Sequence, residues 1–432
     1  MSDSMINDFL GFLDASPTPF HAVSSMRERL EAAGFQALCE TEAWALEPGR
    51  GYYTTRNDSS IIAFKFGNRP LAESGVRMVG AHTDSPCLKV KPRPELRRKN
   101  MWQLGVEVYG GVLLNPWFDR DLGMAGRVSW LDSEGNLHQS LINIDRPIAT
   151  IPSLAIHLDR EANSQRSVNP QTDLPPLLLL HAQQGEPVEF RQRLTTELNN
   201  NGHEAVEVLD YELCLYDTQG AAQIGWCEDF IASARLDNLL SCYVGMQALL
   251  DQQSDNTAIL VCNDHEEVGS QSSSGAQGPM LMSVLKRLCP DAETLDRCLA
   301  NSMLISADNA HGIHPNFMQK HDENHGPLLN EGPVIKLNAN QRYASNSETS
   351  ALFRQICRQA NIPVQSFVVR SDMACGSTIG PITAATVGVK TLDIGVPTFG
   401  MHSIRELAGS KDVDYIRRAL SRFFALESVS IG

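Results

Sequence analysis

The sequence predicts an α/β protein: a central, mostly parallel sheet covered by helices, interrupted by an inserted domain that is mostly β. Three observations carry this. Helix and strand patterns alternate after residue 233, a Pro-punctuated run of short strands precedes that region, and successive apolar runs stop at a His, Asp or Glu.

Residues 4–34 read as two amphipathic helices broken at Pro17-Thr18-Pro19, with Val23, Met26, Leu30 and Ala33 at helical spacing in the second. Short strands follow at 51–56, 61–66 and 77–81. Between 91 and 232 the texture changes. Pro92, Pro94, Pro116, Pro147 and Pro170 punctuate strand-like runs such as 106–109 and 127–131, which marks the inserted domain. Residues 1–90 and 233–432 then form one discontinuous domain around it. In the second half of that domain, 236–250 reads as a helix, 257–262 as a buried strand, 280–288 as a helix and 303–307 as a strand. Helix 348–360, strand 387–394 and helix 412–426 follow, with 395–402 as a Gly/Pro-rich loop and 404–407 opening a helix. Function in such sheets collects beyond the carboxyl ends of the strands.

At 432 residues the chain exceeds what one core usually supports, in line with two domains. A net charge of -15 argues against a nucleic-acid partner, because phosphate contacts need clustered cations. No apolar run approaches the roughly 20 residues that span a bilayer, so no membrane partner is expected. The first residues lack a basic start followed by a long apolar run, so no signal peptide is expected and the cytoplasm is the expected location. The ten cysteines are scattered without a CxxC pair and read as reduced thiols.

The chemistry sits at the strand ends. Val79-Gly-Ala-His82-Thr-Asp84 offers a His oriented by a carboxylate two residues on, or simply a loop His with an Asp turn. Asp237 in Ala234-Arg-Leu-Asp237 opens a helix and taken alone reads as its N-cap; as a rival reading, its two oxygens reach two metal ions. Asp264-His-Glu266-Glu267-Val-Gly is the most informative segment. Adjacent carboxylates just past a buried strand need partners, and a metal supplies them: one Glu ligates while the other accepts a proton from water. No second His follows at helical offset, so this is not HExxH. In Ser306-Ala-Asp308-Asn-Ala-His311-Gly-Ile-His314, the residues alone leave Asp308, His311 and His314 as competing ligands. His402 ends the 395–402 loop. A His and carboxylate set without Cys suits zinc, with cobalt or manganese as alternatives. There is no P-loop, GxGxxG or GxSxG, and Cys375 and Ser377 read as pocket wall because no base stands beside them.

The segments GAHTDSPCLKVKP, ARLDNL, DHEEVGSQSSSGA, SADNAHGIHPN, VIKLNANQRYA, MACGSTIGPI and GVPTFGMHS resemble those of the M18 (aspartyl) aminopeptidases, in order and from about residue 8 onward. The resemblance implies a zinc-aminopeptidase-type catalytic domain with an inserted dimerisation domain and two zinc ions per subunit. It implies that His82 and Asp308 hold one ion and Glu267 and His402 the other, with Asp237 bridging. Glu266 is then the general base, Asp84 the partner of His82, and His311 and His314 structural or subunit-contact residues. It further implies that His157, otherwise a helical His without a role, reaches a neighbouring subunit's site. Lys336 would favour an N-terminal Asp or Glu, where the residue alone reads equally as a strand-end Lys in solvent, and Tyr343 would line the same cleft. The expected partners are peptides with a free N-terminus and a homo-oligomer built from dimers into a tetrahedral dodecamer. Rival readings are another two-metal amide hydrolase, such as a dipeptidase or N-acyl amino-acid deacylase, and a non-catalytic metal-stabilised scaffold.

Overall fold

The computed structural model describes residues 3–180 and 189–429 and divides into two compact units. The first comprises Met1–Ser85, Ala221–Met401 and Glu406–Gly432; the second comprises Pro86–Gly220 and His402–Arg405.

The first unit is built on one twelve-stranded mixed sheet. At its centre four strands run parallel: Thr257–Asn263, Val76–His82, Met303–His311 and Lys390–Phe399. Antiparallel strands extend it on both sides, among them Gly51–Arg56 with Ser60–Lys65, and Phe230–Ser233 with Glu406–Gly409. Thr257–Asn263 and Val76–His82 are buried at every position, as expected of strands covered on both faces. Alternation sorts their side chains. Val79, Ala81, Leu260 and Ile305 join the core beneath the helices Asp3–Asp14, Pro19–Ala32, Leu236–Asp251, Ser347–Gln359 and Asp412–Phe424. Met78, Ile259, Val261 and Leu304 enter the opposite core, with Met280–Leu288. Pairing register places the functional ends together. His82 lies opposite Asn263, and Ser306 opposite Gly80, so Asp308 comes level with His82 two residues further on.

The second unit is a six-stranded antiparallel sheet in the order Leu137–Ala149, Leu122–Leu131, Glu207–Asp217, Cys87–Arg98, Met101–Tyr109, Leu177–Leu180. Trp102, Trp117, Trp130 and the helix Phe190–Asn200 fill its core. The unit starts at Pro86 and ends at Gly220, earlier at both edges than the expected 91–232. Ala222–Ile224 and Phe230–Ser233 instead pair into the large sheet.

Three local expectations are corrected. Val387 ends the helix Ile379–Val387, closed by Gly388 at φ +79, so the strand begins only at Lys390. The expected loop 395–399 continues that strand through Pro397 to Phe399. The expected helix at 404–407 is the strand Glu406–Gly409, whose buried Glu406 serves the site described below.

Helix Pro19–Ala32 starts on the N-cap Thr18, with Pro19 at its first position. The Thr18 hydroxyl lies 2.8 Å from Nδ1 of His21. Burial, with the Arg235 cation adding to it, pushes this imidazole from 6.5 down to about 4. A His neutral when folded and free to ionise when unfolded contributes its full stability above pH 6.5 and loses it as pH falls towards 4. Lowering the pH from 7.5 to 5 should cost roughly 2 kcal/mol of urea-unfolding free energy through this group, and His21→Gln should lose about that much less.

Candidate metal centre

His82 ends its strand almost fully buried, with 2% of its surface exposed. Its Nδ1 bonds the backbone carbonyl of Asp84 at 3.0 Å, with the Asp84 carboxylate 3.4 Å away. This leaves Nε2 facing three carboxylates: Asp237 Oδ1 at 3.3 Å, Asp308 Oδ1 at 3.5 Å and Glu266 Oε2 at 4.0 Å.

Each carboxylate is placed by a distinct local device. Asp237 sits at the start of Leu236–Asp251, where its backbone departs from helical geometry. Arg235 takes a left-handed conformation just before it, and the Asp237 N–H donates to Glu406 Oε2 at 2.9 Å. The Ser85 hydroxyl donates to the Asp237 carbonyl, and the Asn238 amide to the carbonyl of Ala307. Glu266 and Glu267 begin a short 3-10 turn after Thr257–Asn263, with left-handed His265 ahead of them. Their N–H groups donate to the two oxygens of Asp84, at 3.0 and 3.1 Å. One buried carboxylate thus aligns both His82 and the Glu pair. His265 Nδ1 lies 2.9 Å from the Ser272 hydroxyl, which ties the following Ser-rich loop to the same turn. Asp308 splits its oxygens: Oδ1 faces His82, and Oδ2 accepts from Lys336 Nζ at 2.9 Å.

The electrostatics are severe. Burial raises Glu266 to about 7, with Asp308, Asp237 and Asp84 adding to it against the pull of His82. Burial likewise lifts Glu267 well above the usual carboxylate range. Asp308 goes the other way, because Lys336 and His82 outweigh its burial. His82 is raised well above its ordinary value: burial opposes this, but Asp237, Asp308 and Asp84 override it. Such a site competes for cations. Ligand atoms of His82, Asp237 and Asp308 lie within 4.8 Å of one another, as do those of His82, Glu266 and Glu267. One imidazole nitrogen among carboxylate oxygens, with no thiolate, fits zinc.

The remaining candidates are set by their own surroundings. His314 is held by its own loop, its N–H donating to His321 Nε2 and its Nδ1 accepting from the Asn316 N–H. His311 and His314 line a cavity of about 310 Å³ with Lys320, Phe367 and Phe399, outside the carboxylate cluster. Tyr343 is buried, with the Lys336 ammonium 5.3 Å from its ring centre. Cys375 packs beside Tyr343, and the Ser377 hydroxyl donates to the Arg342 carbonyl. In the second unit, His402 has φ +68 and its Nδ1 lies 3.0 Å from the Gly111 carbonyl. His157, also there, is exposed in a turn rather than in the helix expected of it. Sequence reasoning missed Glu406 and the double duty of Asp84. A charged residue in an otherwise apolar strand, Glu406-Leu-Ala-Gly, was the available signal for the first.

The sequence profile described as "Aminopeptidase I zinc metalloprotease (M18)" matches residues 12–424. This chain belongs to the M18 aminopeptidase family. It is therefore a zinc-dependent peptide hydrolase. It is 60% identical to a probable M18 family aminopeptidase 2 of Pseudomonas fluorescens, over 98% of this chain and 99% of that one. The counterpart of Ectopseudomonas mendocina is 59% identical with the same coverage. Among solved structures, a chain of the Ape4 and Nbr1 complex superposes with TM-score 0.93 at 41% identity, covering 98% of this chain and 85% of that one. The mApe1 dodecamer of S. cerevisiae gives 0.85 at 29% identity, covering 98% and 97%.

In this M18 chain, Asp84→Ala removes the shared acceptor of the Glu266 and Glu267 N–H groups. Zinc affinity of the metal-free protein, measured by competition with a chromophoric chelator, should fall by about 10–100-fold; unchanged affinity would contradict the alignment role.

Proposed function

We propose that this aminopeptidase removes N-terminal residues with two zinc ions, His82 and Asp308 holding one, Glu267 and His402 the other, and Asp237 bridging. The carrying observation is the convergence of His82, Asp237, Glu266, Glu267 and Asp308 at neighbouring strand ends. Charge supports a cation site: Asp84, Asp237, Glu266, Glu267 and Asp308 crowd their carboxylates around His82, and divalent cations relieve that repulsion. The bond between His402 Nδ1 and the Gly111 carbonyl fixes the ring, as the second partner of a metal-ligating His does.

Bound zinc would supply Lewis acidity, lowering the pKa of water towards about 7. Glu266 is the general base. Burial places its carboxyl near neutrality, so it can take a proton from the attacking water and return it to the leaving amine. His157, contributed by a neighbouring subunit, steadies the developing oxyanion. Exposed Leu154, Ile156 and Leu158 around it favour burial against another copy. The assembly is a homo-oligomer built from dimers, on the pattern of the dodecameric relative. Peptides with a free N-terminus are the substrates, Asp or Glu is the preferred first residue with Lys336 and Tyr343 beside its side chain, and the cytoplasm is the location. No helix among the described residues is long and apolar enough to cross a membrane.

Glu266→Gln should retain zinc by elemental analysis while kcat falls between about 10² and 10⁴-fold; near-normal turnover would remove Glu266 from the base role. Exhaustive chelation should abolish hydrolysis and zinc should restore it. N-acetylated peptides should resist cleavage where the free-amine forms are cut; the reverse would favour a deacylase.

A further inference from the structure

The structure accounts for Lys336 in a way that substrate recognition alone does not. Lys336 lies in the short strand Val334–Leu337, which runs parallel to Gln365–Val368 and antiparallel to Lys390–Phe399. Its side chain is 5% exposed, so this is not a strand-end Lys with its head in solvent. An ammonium taken that far from water needs a counter-charge. Asp308 provides it, at 2.9 Å through Oδ2, while its other oxygen faces His82. A lysine serving only as a receptor for acidic side chains would present its ammonium to the subsite. Here a proposed metal ligand already engages it.

We infer that Lys336 is a positioning residue of the metal centre, its ammonium holding one Asp308 oxygen so that the other is directed at the ion beside His82. The inference rests on the two-ion reading above. It is compatible with a preference for acidic substrates, because an ammonium carries three donors and Asp308 uses one. The roles differ in consequence: a positioning residue matters to every substrate, and to the metal when no substrate is present.

The test titrates metal-free wild-type and Lys336→Met protein with zinc against a chromophoric chelator, and compares kcat and KM on peptides starting with Asp, Ala and Leu. Lys336→Met should bind one of the two ions about 10–100-fold more weakly, and kcat should fall on all three substrates alike at subsaturating zinc. Unchanged zinc affinity, with losses confined to a raised KM for the Asp peptide, would overturn the inference. If Lys336→Met does not fold, Lys336→Gln keeps a donor for Asp308 without the charge. It should weaken one ion by at least threefold, and equal affinity would again overturn the proposal. Failure of the wild-type protein to take up two ions would instead count against the two-ion reading itself.

Discussion

Everything at the centre of this molecule follows from placing several carboxylates, partly stripped of water, around one buried imidazole. Isolated buried carboxylates are costly and normally take up protons, as the upward shifts of Glu266 and Glu267 express. The fold concentrates the problem instead of dispersing it. Parallel pairing of Val76–His82 with Thr257–Asn263 and Met303–His311 delivers three acid-bearing strand ends to one edge. The cost becomes cation affinity.

The supporting groups show how that arrangement is kept from collapsing into fixed salt bridges. Asp84 spends its oxygens on the backbone N–H groups of Glu266 and Glu267, which fixes the turn that carries both side chains. Glu406 accepts the Asp237 N–H and so fixes the backbone that carries that carboxylate. Lys336 offsets charge at Asp308 from the far side. None of these three is itself among the proposed ligands, yet each fixes the direction of one.

Much of this was legible in the sequence, and for physical reasons. Uninterrupted apolar runs such as Thr257-Ala-Ile-Leu-Val-Cys can only be buried strands or helices, and their ionisable ends then stand out. Periodicity located Met280–Leu288 and the two N-terminal helices. Shorter signals were not readable. The helix Ile379–Val387 is mostly apolar and β-branched and lacks an amphipathic stripe, so its end merged with the following strand until Gly388 separated them. Glu406-Leu-Ala-Gly is too short for its period to decide between helix and strand, and its pairing partners lie far away in the chain. At the site, residue types suggested ligands, but the three-way choice among Asp308, His311 and His314 needed register. A strand that pairs Ser306 with Gly80 brings Asp308, not His311 or His314, level with His82.

The most direct test of the account is anomalous diffraction at the zinc edge from crystals of the zinc-loaded protein. Two peaks are expected, one beside His82 and Asp308 and one beside Glu267 and His402, with Asp237 reaching both. A single peak, or zinc bound away from these side chains, would contradict the claim that this carboxylate cluster exists to hold a pair of ions.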